Sequence, residues 1–197
     1  MLGIDPGLSM TGYAAASVDP ERALIIHVLE VGVSATERRN LKQVRKGSEH
    51  LRRGREQAVV LNAIIDRYCP AAVAVELTTT TKHKHPIFSF GVMTGIVACM
   101  DPPVVEVLPH EVKLAATGNK RATKADVIQW ALNQPGSTSV EWPVSARRNS
   151  LNLQHEGLHL MRIAEHPADA LAAIQAALLT EQVRLAYLMS TRTLRAP

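Results

Sequence analysis

The segment "GIDPGLSMTGYA", residues 3–14, places a carboxylate at the end of an apolar strand. Residues 1–4 are typical of a strand, Asp5 follows them, and Pro6-Gly7 interrupts the strand. Residues 11–18 then resume as a second strand, which predicts a hairpin-like return. A carboxylate in such a place is costly to remove from water unless a nearby positive charge compensates its negative charge. The segment therefore predicts that another part of the chain, or a metal ion, provides a positive partner for Asp5.

The composition is that of one globular domain. The chain has 197 residues, of which 46% are apolar and 20% are charged, so it is long enough for one sizeable core and short for two. Only 4% are aromatic, so the core must be aliphatic and rich in alanine. No apolar run reaches membrane-spanning length, and no cleavable signal precedes the first strand. Cys69 and Cys99 are too few for a disulfide framework and have no zinc-type spacing, so we expect a reduced, cytoplasmic compartment.

Positive charge is concentrated in one segment. The formal net charge is +4, which fits a polyanionic partner without establishing one. Most charge runs are solvated helix faces, but in residues 38–55 Glu49 is the single acid among eight basic residues. Binding to nucleic acid would relieve their mutual repulsion. The basic residues of this run are Arg38, Arg39, Lys42, Arg45, Lys46, Arg52, Arg53 and Arg55.

Hydrophobic spacing predicts a mixed α/β layout. Residues 23–33 form a third strand, residues 72–75 a fourth that ends on Glu76, and residues 104–108 a fifth. Helices are predicted at residues 41–68, 86–100 and 123–133, and in a last helix that has Pro167 in its first turn and runs to about residue 188. Helices would then cover a central sheet.

The same patterns predict the domain boundaries and the face of the first helix. Residues 1–188 form a single domain with an irregular segment at 134–158, and residues 189–197 form a flexible tail. The apolar face of the first helix is predicted to comprise Leu41, Val44, Leu51, Ala58, Leu61 and Ile65.

Two of the buried strands end in carboxylates, Asp5 and Glu76. The segment "AEHPADALAAIQAAL", residues 164–178, adds His166 and Asp169, which share one face of the first helical turn. Each residue alone has a structural explanation, because acids suit helix N-termini and His166 could act as a cap. Together they predict an oxygen-rich site suited to Mg²⁺ or Mn²⁺ rather than to zinc.

Four segments, in order, resemble the RuvC family of Holliday junction resolvases. They are "GIDPGLSMTGY" (3–13), "AAVAVEL" (71–77), "VLPHEVKLAATGNKRATKADV" (107–127) and "HPADALAAI" (166–174). The resemblance implies a ribonuclease H-like fold, with a five-stranded mixed central sheet flanked by helices. It also implies a homodimer and two-metal cleavage of DNA four-way junctions.

The resemblance further implies roles for individual residues. Two Mg²⁺ ions, with Mn²⁺ as a substitute, would be held by Asp5, Glu76, His166 and Asp169. The family often carries an aspartate where His166 stands, so this site has one negative charge fewer and its protonation matters near neutral pH. Lys113 and Lys124 match the family's two basic residues near the scissile phosphate; without that match they would be surface lysines. The residues predicted to contact DNA are Arg45, Lys46, Arg52, Arg53, Arg55, Lys82, Lys84, Lys113, Lys120, Arg121 and Lys124.

Two segments depart from the family pattern. The family usually carries an aromatic residue soon after its second carboxylate, in a loop that reaches into the junction, whereas "LTTTTKHKHPIF" (77–88) has none before Phe88. Electrostatic contact through Lys82, His83, Lys84 and His85 could replace base stacking there. Residues 133–161 are longer than the family norm, and their Trp142, Arg147 and Arg148 either contact DNA or pack against the body.

The expected reaction is hydrolysis of a phosphodiester. One ion activates a water that attacks phosphorus in line, and the other stabilises the leaving 3′ oxygen, which leaves 5′-phosphate ends. His166 is either a metal ligand or the general base, and the two lysines offset phosphate charge. A two-fold dimer would place two such sites on a junction of approximate two-fold symmetry and give paired nicks. A helicase partner is possible but cannot be read from the sequence.

Three alternatives stay open at this point. The first is a nuclease of the same fold with a broader range of branched DNA or RNA substrates. The second is a module that binds branched DNA without cleaving it, although such a module gains nothing from carboxylates facing phosphates. The third is an actin-like or sugar-kinase ATPase, which also begins with a strand-end aspartate but needs a second glycine-rich loop and usually a much longer chain.

Overall fold

One mixed sheet organises the chain. The computed structural model describes residues 1–39, 45–77, 84–145, 154–155, 158–160 and 162–193. The five strands are β1 (Leu2–Asp5), β2 (Met10–Asp19), β3 (Leu24–Ala35), β4 (Val73–Glu76) and β5 (Val104–Val107). Their order is β3-β2-β1-β4-β5, antiparallel from β1 outward to β3 and parallel from β1 outward to β5. The predicted five-stranded mixed sheet is confirmed.

The register of the sheet brings the two strand-end acids to the same edge. Ile4 of β1 pairs with Val75 of the parallel strand β4, so Asp5 and Glu76 are the next residues of adjacent strands. On the other side of β1, Asp5 pairs with Gly12 of β2. The carboxyl ends of parallel strands in such sheets are where functional side chains gather.

Helices flank the sheet, and two of them differ from the prediction. They are α1 (Lys46–Tyr68), α2 (Lys84–Ala98), α3 (Pro109–Thr117), α4 (Lys124–Leu132), α5 (Glu165–Leu178) and α6 (Glu181–Thr193). Helix α3 was missed, although Pro109 begins it, the Glu111 carboxylate accepts from the Leu108 N–H at 2.8 Å, and Gly118 ends it with φ of 72°.

The prediction of a single last helix is wrong, because the chain forms two helices there, α5 and then α6. Thr180 lies directly before α6, a position at which threonine favours a new helix start. Helix α6 also continues to Thr193, so the first five residues of the predicted flexible tail are helical. Residues 194–197 lie outside the described residues, as do residues 41–44 at the predicted start of α1.

The segment predicted to be irregular, residues 134–158, carries some regular structure. It contains a short 3₁₀ helix (Ser137–Ser139), and three short strands pair in the order β6-β8-β7: β6 (Val144–Ser145), β7 (Gln154–His155) and β8 (Leu158–Leu160). Trp142 is buried, and its indole N–H donates to the carbonyl of Ser137 at 3.0 Å. Trp142 therefore packs against the body, whereas Arg147 and Arg148 lie outside the described residues.

Two further findings concern the helices and the cysteines of the described residues. None of the helices in the described ranges is both long and apolar enough to cross a lipid bilayer. Cys69 and Cys99 are free thiols, and both are exposed.

Two hydrophobic clusters lie on opposite faces of the sheet. On one face, Leu2, Ile4 and Val75 belong to a cluster that includes Leu61 of α1 and Met93 of α2. The cluster on the other face is formed with α3, α4 and α5. Most residues of α5 are buried, and many of these buried residues are alanines. Because alanine is small, α5 lies close to the strands, which brings its first turn to the edge where Asp5 and Glu76 stand.

The inner face of α1 is only partly the predicted one: Leu61 is buried and Ile65 packs against the same cluster, as predicted. Leu51 is 60% exposed, while Arg53, Gly54, Gln57 and Ile64 are buried. The reason is that part of this face packs against backbone carbonyls of β3 and of the loop between β1 and β2 instead of against apolar side chains. Gln57 Nε2 donates to the carbonyl of Ser34 at 3.2 Å and lies 3.5 Å from that of Leu8. Apolar periodicity cannot reveal a helix face whose partners are backbone carbonyls.

Candidate active site

Two glycines let α5 approach the ends of β1 and β2. A methyl group at Gly3 would overlap the carbonyl oxygen of Ala170, and one at Gly12 would overlap the backbone of His166. The first turn of α5 therefore lies directly on the strands, with Gly12 paired to Asp5. This close approach places His166 and Asp169 beside the two strand-end acids.

Asp5 and His166 are in direct contact. His166 Nδ1 lies 2.7 Å from Asp5 Oδ2, and the two side chains are 21% and 24% exposed. The hydrogen bond with Asp5 raises the pKa of His166 above its ordinary value, against burial, which lowers it. This contact joins residues 161 positions apart in the chain, and it leaves Asp5 Oδ1 and His166 Nε2 for other partners.

Glu76 and Asp169 share the field of Asp5. Burial, followed by the charges of Asp169 and Asp5, raises the pKa of Glu76 to about 8, while Lys113 opposes the rise. Burial, followed by the charges of Asp5 and Glu165, raises the pKa of Asp169 to about 7. Raised carboxyl pKa values of this kind mark acids that are buried away from water first of all, and that also lie near other acids.

The donor chemistry of this cluster fits a divalent cation. Three carboxylates and one imidazole are hard oxygen and borderline nitrogen ligands, of the kind that bind Mg²⁺ or Mn²⁺, and their mutual repulsion is what a cation would relieve. Within the described ranges, however, no group of three or more His, Cys, Asp or Glu side chains is arranged to hold an ion as it stands. The residues fit the ion in type, and binding would have to draw the side chains together.

The raised pKa values predict that the metal-free protein loses stability as pH rises. The pKa values of Glu76 and Asp169 are higher in the folded state than in the unfolded chain, so the folded state binds these two protons more tightly. The free energy of unfolding therefore falls as pH rises from the unfolded pKa values to the folded ones, which are about 8 for Glu76 and about 7 for Asp169. The raised His166 pKa acts in the same direction, because its contribution is present below about 6.5 and is lost above the folded value. We expect the free energy of unfolding in EDTA to fall by about 2 kcal/mol between about pH 5.5 and 8.5.

Thermal unfolding at the two pH values measures this loss. Glu76→Gln should remove most of the pH dependence, and adding Mg²⁺ at the higher pH should raise the Tm of the unmodified protein. Glu21→Gln, an exposed site in the β2–β3 turn at the far end of the sheet, is the matched control and should leave the dependence unchanged. A Tm that does not respond to pH would contradict the clustering of charge.

Both predicted phosphate-contacting lysines stand beside the cluster. Lys113 on α3 acts on the pKa of Glu76, and Lys124, the first residue of α4, acts on that of Asp169. Lys124 Nζ lies 2.7 Å from Glu165 Oε2. Glu165 was missed by sequence reasoning, although it stands directly before His166 in the "EHPAD" segment, where an extra acid was a visible signal.

Two members of the basic run have guanidinium groups that are paired within the fold, and only Arg53 of the two is buried. Arg53 is buried; its Nε donates to Thr36 Oγ1 at 2.8 Å and its Nη2 to Ser9 Oγ at 2.6 Å. Arg52 forms ion pairs with Glu49 and Glu56 and donates to the carbonyl of Glu37. Their guanidinium groups are used within the fold, so charge reversal at either would test stability before it tested DNA binding.

The charge of the basic run is partly balanced in the structure by acids that pair with its arginines. Glu49 is buried, and the hydrogen bonds from Arg52 and from the Arg39 N–H lower its pKa to about 2. Glu56, just beyond the run, supplies a second acid.

The other predicted DNA contacts divide into two groups. Exposed side chains are those of Arg45, Lys46 and Arg55 on α1 and its start, and of Lys120 and Arg121 between α3 and α4. The side chains of Lys82, His83, Lys84 and His85 lie outside the described residues, so the predicted contact through this loop stays a prediction.

Comparison with known proteins points to one family. The model of the family described as "Crossover junction endodeoxyribonuclease RuvC" matches residues 1–133. A RuvC from Frankia alni is 33% identical over 151 residues, which cover 74% of this chain and 71% of the relative. One from Pseudothermotoga lettingae is 29% identical over 133 residues, which cover 66% and 75%. The family match ends before His166 and Asp169, so only the tertiary structure joins them to Asp5 and Glu76.

Solved structures share the fold. Thermus thermophilus RuvC in complex with a Holliday junction substrate superposes with a TM-score of 0.62 at 23% identity, covering 89% of this chain and 90% of that one. The yeast mitochondrial Holliday junction resolvase Ydc2 gives a TM-score of 0.57 at 11% identity, covering 95% and 83%.

Proposed function

Because the chain belongs to the RuvC family of crossover junction endodeoxyribonucleases, we propose that Asp5, Glu76, His166 and Asp169 form the site with which it resolves DNA four-way junctions. The enzyme is a nuclease of branched DNA, and nucleases of this family depend on divalent metal ions. The choice of Mg²⁺, two ions in each site and 5′-phosphate products are part of the proposal.

One observation carries the assignment of the site. The 2.7 Å contact between Asp5 and His166 joins the first strand to a helix that lies outside the family-model match. With Glu76 on the neighbouring strand and Asp169 one turn further along α5, four residues from three elements meet at one edge of the sheet. Such clusters of ionisable groups with strongly shifted pKa values are candidates for catalytic sites.

The cluster residues and the two lysines have different tasks. Asp5, Glu76, His166 and Asp169 would hold the divalent ions, which supply an activated water and stabilise charge on the phosphate. Asp5 holds His166 through Nδ1, so Nε2 is the nitrogen left to bind an ion or accept a proton. The ammonium groups of Lys113 and Lys124 offset the negative charge that develops on the phosphate.

The function is tested by cleavage of labelled DNA. We expect a four-way junction to be nicked in Mg²⁺ and left intact in EDTA, and a linear duplex of the same sequence to survive in both. Equal cleavage of flaps and duplex would indicate the broader nuclease, and tight binding without cleavage would indicate the non-cleaving module. The predicted cytoplasmic location and a helicase partner stay predictions.

We also propose that a second copy of the chain covers an apolar groove between α1 and α2. The groove has a volume of about 580 Å³ and is lined by Leu51, Phe88, Val92 and Ile96, among others. Leu51 and Phe88 are 60% and 55% exposed, which is unusual for adjacent large side chains on a monomer. A two-fold dimer matches the symmetry of a four-way junction and would cut two of its four strands.

The dimer is tested by sedimentation. Phe88→Glu is expected to convert a dimer to a monomer and to replace paired nicks by single ones, because it buries a charge in the interface. Val59→Glu, also on α1 but outside the residues that line the groove, is the control. An unmodified protein that stays monomeric at micromolar concentration would contradict the proposal.

A further inference from the structure

We propose that Glu165 is a positioning residue, which holds the ammonium group of Lys124 at the His166–Asp169 end of the acidic cluster. The inference rests on the proposed function of that cluster, and it assigns a task to an acid that the sequence motifs leave out. Glu165 would not touch the substrate; it would act through Lys124.

The contact joins a buried acid to an exposed base. Lys124 Nζ lies 2.7 Å from Glu165 Oε2, and the side chains are 57% and 11% exposed. Glu165 Oε1 lies 4.0 Å from His166 Nε2, so the carboxylate stands between the lysine and the histidine. Glu165 also contributes to the raised pKa values of His166 and Asp169, which places its charge within reach of both.

The two ends of the contact are anchored differently. Glu165 is the first residue of α5, whose next turn is fixed by the buried Pro167 and Ala168. The start of α4 is fixed by Thr123, whose N–H and hydroxyl donate to the Asp126 carboxylate at 2.8 Å. The backbones at both ends are therefore held, and the part of the contact that can still move is the long stem of Lys124.

A free lysine stem samples many rotamers, and an ion pair with a fixed carboxylate removes most of that freedom before DNA arrives. The contact is an ion pair without hydrogen-bond geometry, so the N–H donors of the ammonium group stay available to a phosphate. Glu165 thus prepares Lys124 to meet the substrate without consuming its charge.

Two other tasks for Glu165 can be separated from positioning. If Glu165 only tied α4 to α5, its loss would lower stability and leave the rate per folded molecule unchanged. If Glu165 bound a metal ion itself, its loss would weaken the dependence on Mg²⁺ concentration, and more Mg²⁺ would restore the rate. Glu165→Gln is the mild variant, because it removes a buried charge and leaves Lys124 solvated.

The experiment is a double-mutant cycle with Glu165→Gln and Lys124→Gln, measured by single-turnover cleavage at saturating Mg²⁺. We expect Glu165→Gln to slow cleavage about ten- to a hundredfold, with the Kd for the junction changed less than about twofold. The double variant should be no slower than Lys124→Gln alone. Glu165→Asp, which keeps the charge but withdraws it by about one bond, should also slow cleavage.

Several results would overturn the proposal. The first is a double variant whose cleavage rate falls by the product of the two single losses, and the second is a rate in Glu165→Gln that more Mg²⁺ restores. The others are an unchanged cleavage rate in Glu165→Asp and a loss of rate that equals the fraction of unfolded protein. Glu21→Gln is the control for the chemical change. An unchanged rate in Lys124→Gln would also remove the lysine from the reaction, whereas the requirement for Asp5 tests the cluster separately.

Discussion

Replacing Asp5 by asparagine is expected to slow single-turnover cleavage of a four-way junction by about a hundred- to a thousandfold. The substitution removes the charge that would hold the cation and that orients His166 through the 2.7 Å contact. Asparagine keeps the shape of the side chain and an oxygen that can accept from His166, so the fold should persist. Binding of the junction should be unchanged or tighter, because one negative charge facing the phosphates is lost.

The control for this substitution is Asp66→Asn, which makes the same chemical change at an exposed position of α1. It should leave both cleavage and binding unchanged. Retention of Mg²⁺-dependent nicking by Asp5→Asn at close to the normal rate would remove Asp5 from the reaction and with it the proposed site.

Replacing Gly12 by alanine is expected to lower the free energy of unfolding by about 3 kcal/mol, at the upper end of the usual cost of overpacking. The added methyl group meets the backbone of His166, which cannot rotate away as a side chain could. Helix α5 must shift from the sheet to make room. The molecules that remain folded should cleave more slowly, because His166 moves away from Asp5.

The matched control is Gly91→Ala on the exposed side of α2, where an added methyl group meets nothing within 4 Å. Here the same substitution should raise stability by up to about 1 kcal/mol, since alanine favours a helix more than glycine does. Denaturant unfolding of the two variants and of the unmodified protein measures both changes. Equal stability of Gly12→Ala and the unmodified protein would show that α5 does not depend on its close approach to β2.

Features that depend on neighbours in the chain were predictable from the sequence. The five strands, the interruption at Pro6-Gly7 and the start of α4 at Thr123 were all predicted, because each depends on a few adjacent residues. The carboxylates at the ends of β1 and β4 were predicted for the same reason. The errors fell where a local pattern was incomplete: α3 was overlooked, and the division between α5 and α6 was read as one helix.

The basic run shows where such prediction stopped. The sequence shows that positive charge is concentrated in residues 38–55, but it does not distinguish an arginine exposed to solvent from one paired within the fold. Arg53 binds Ser9, 44 positions away, and Arg52 binds the carbonyl of Glu37. These partners depend on how α1 is rotated against the sheet, which is a property of the packed structure.

The same distinction between local and long-range features applies to the candidate active site. The strands and the helix that carry Asp5, Glu76, His166 and Asp169 were predictable from the amino-acid sequence. The contact of His166 with Asp5 and the ion pair of Lys124 with Glu165 became visible in the packed structure alone. The physical reason is that charge, strand order and helix starts are local, whereas the burial and ion pairing of a side chain depend on residues that reach it only when α4 and α5 pack against each other and against the sheet.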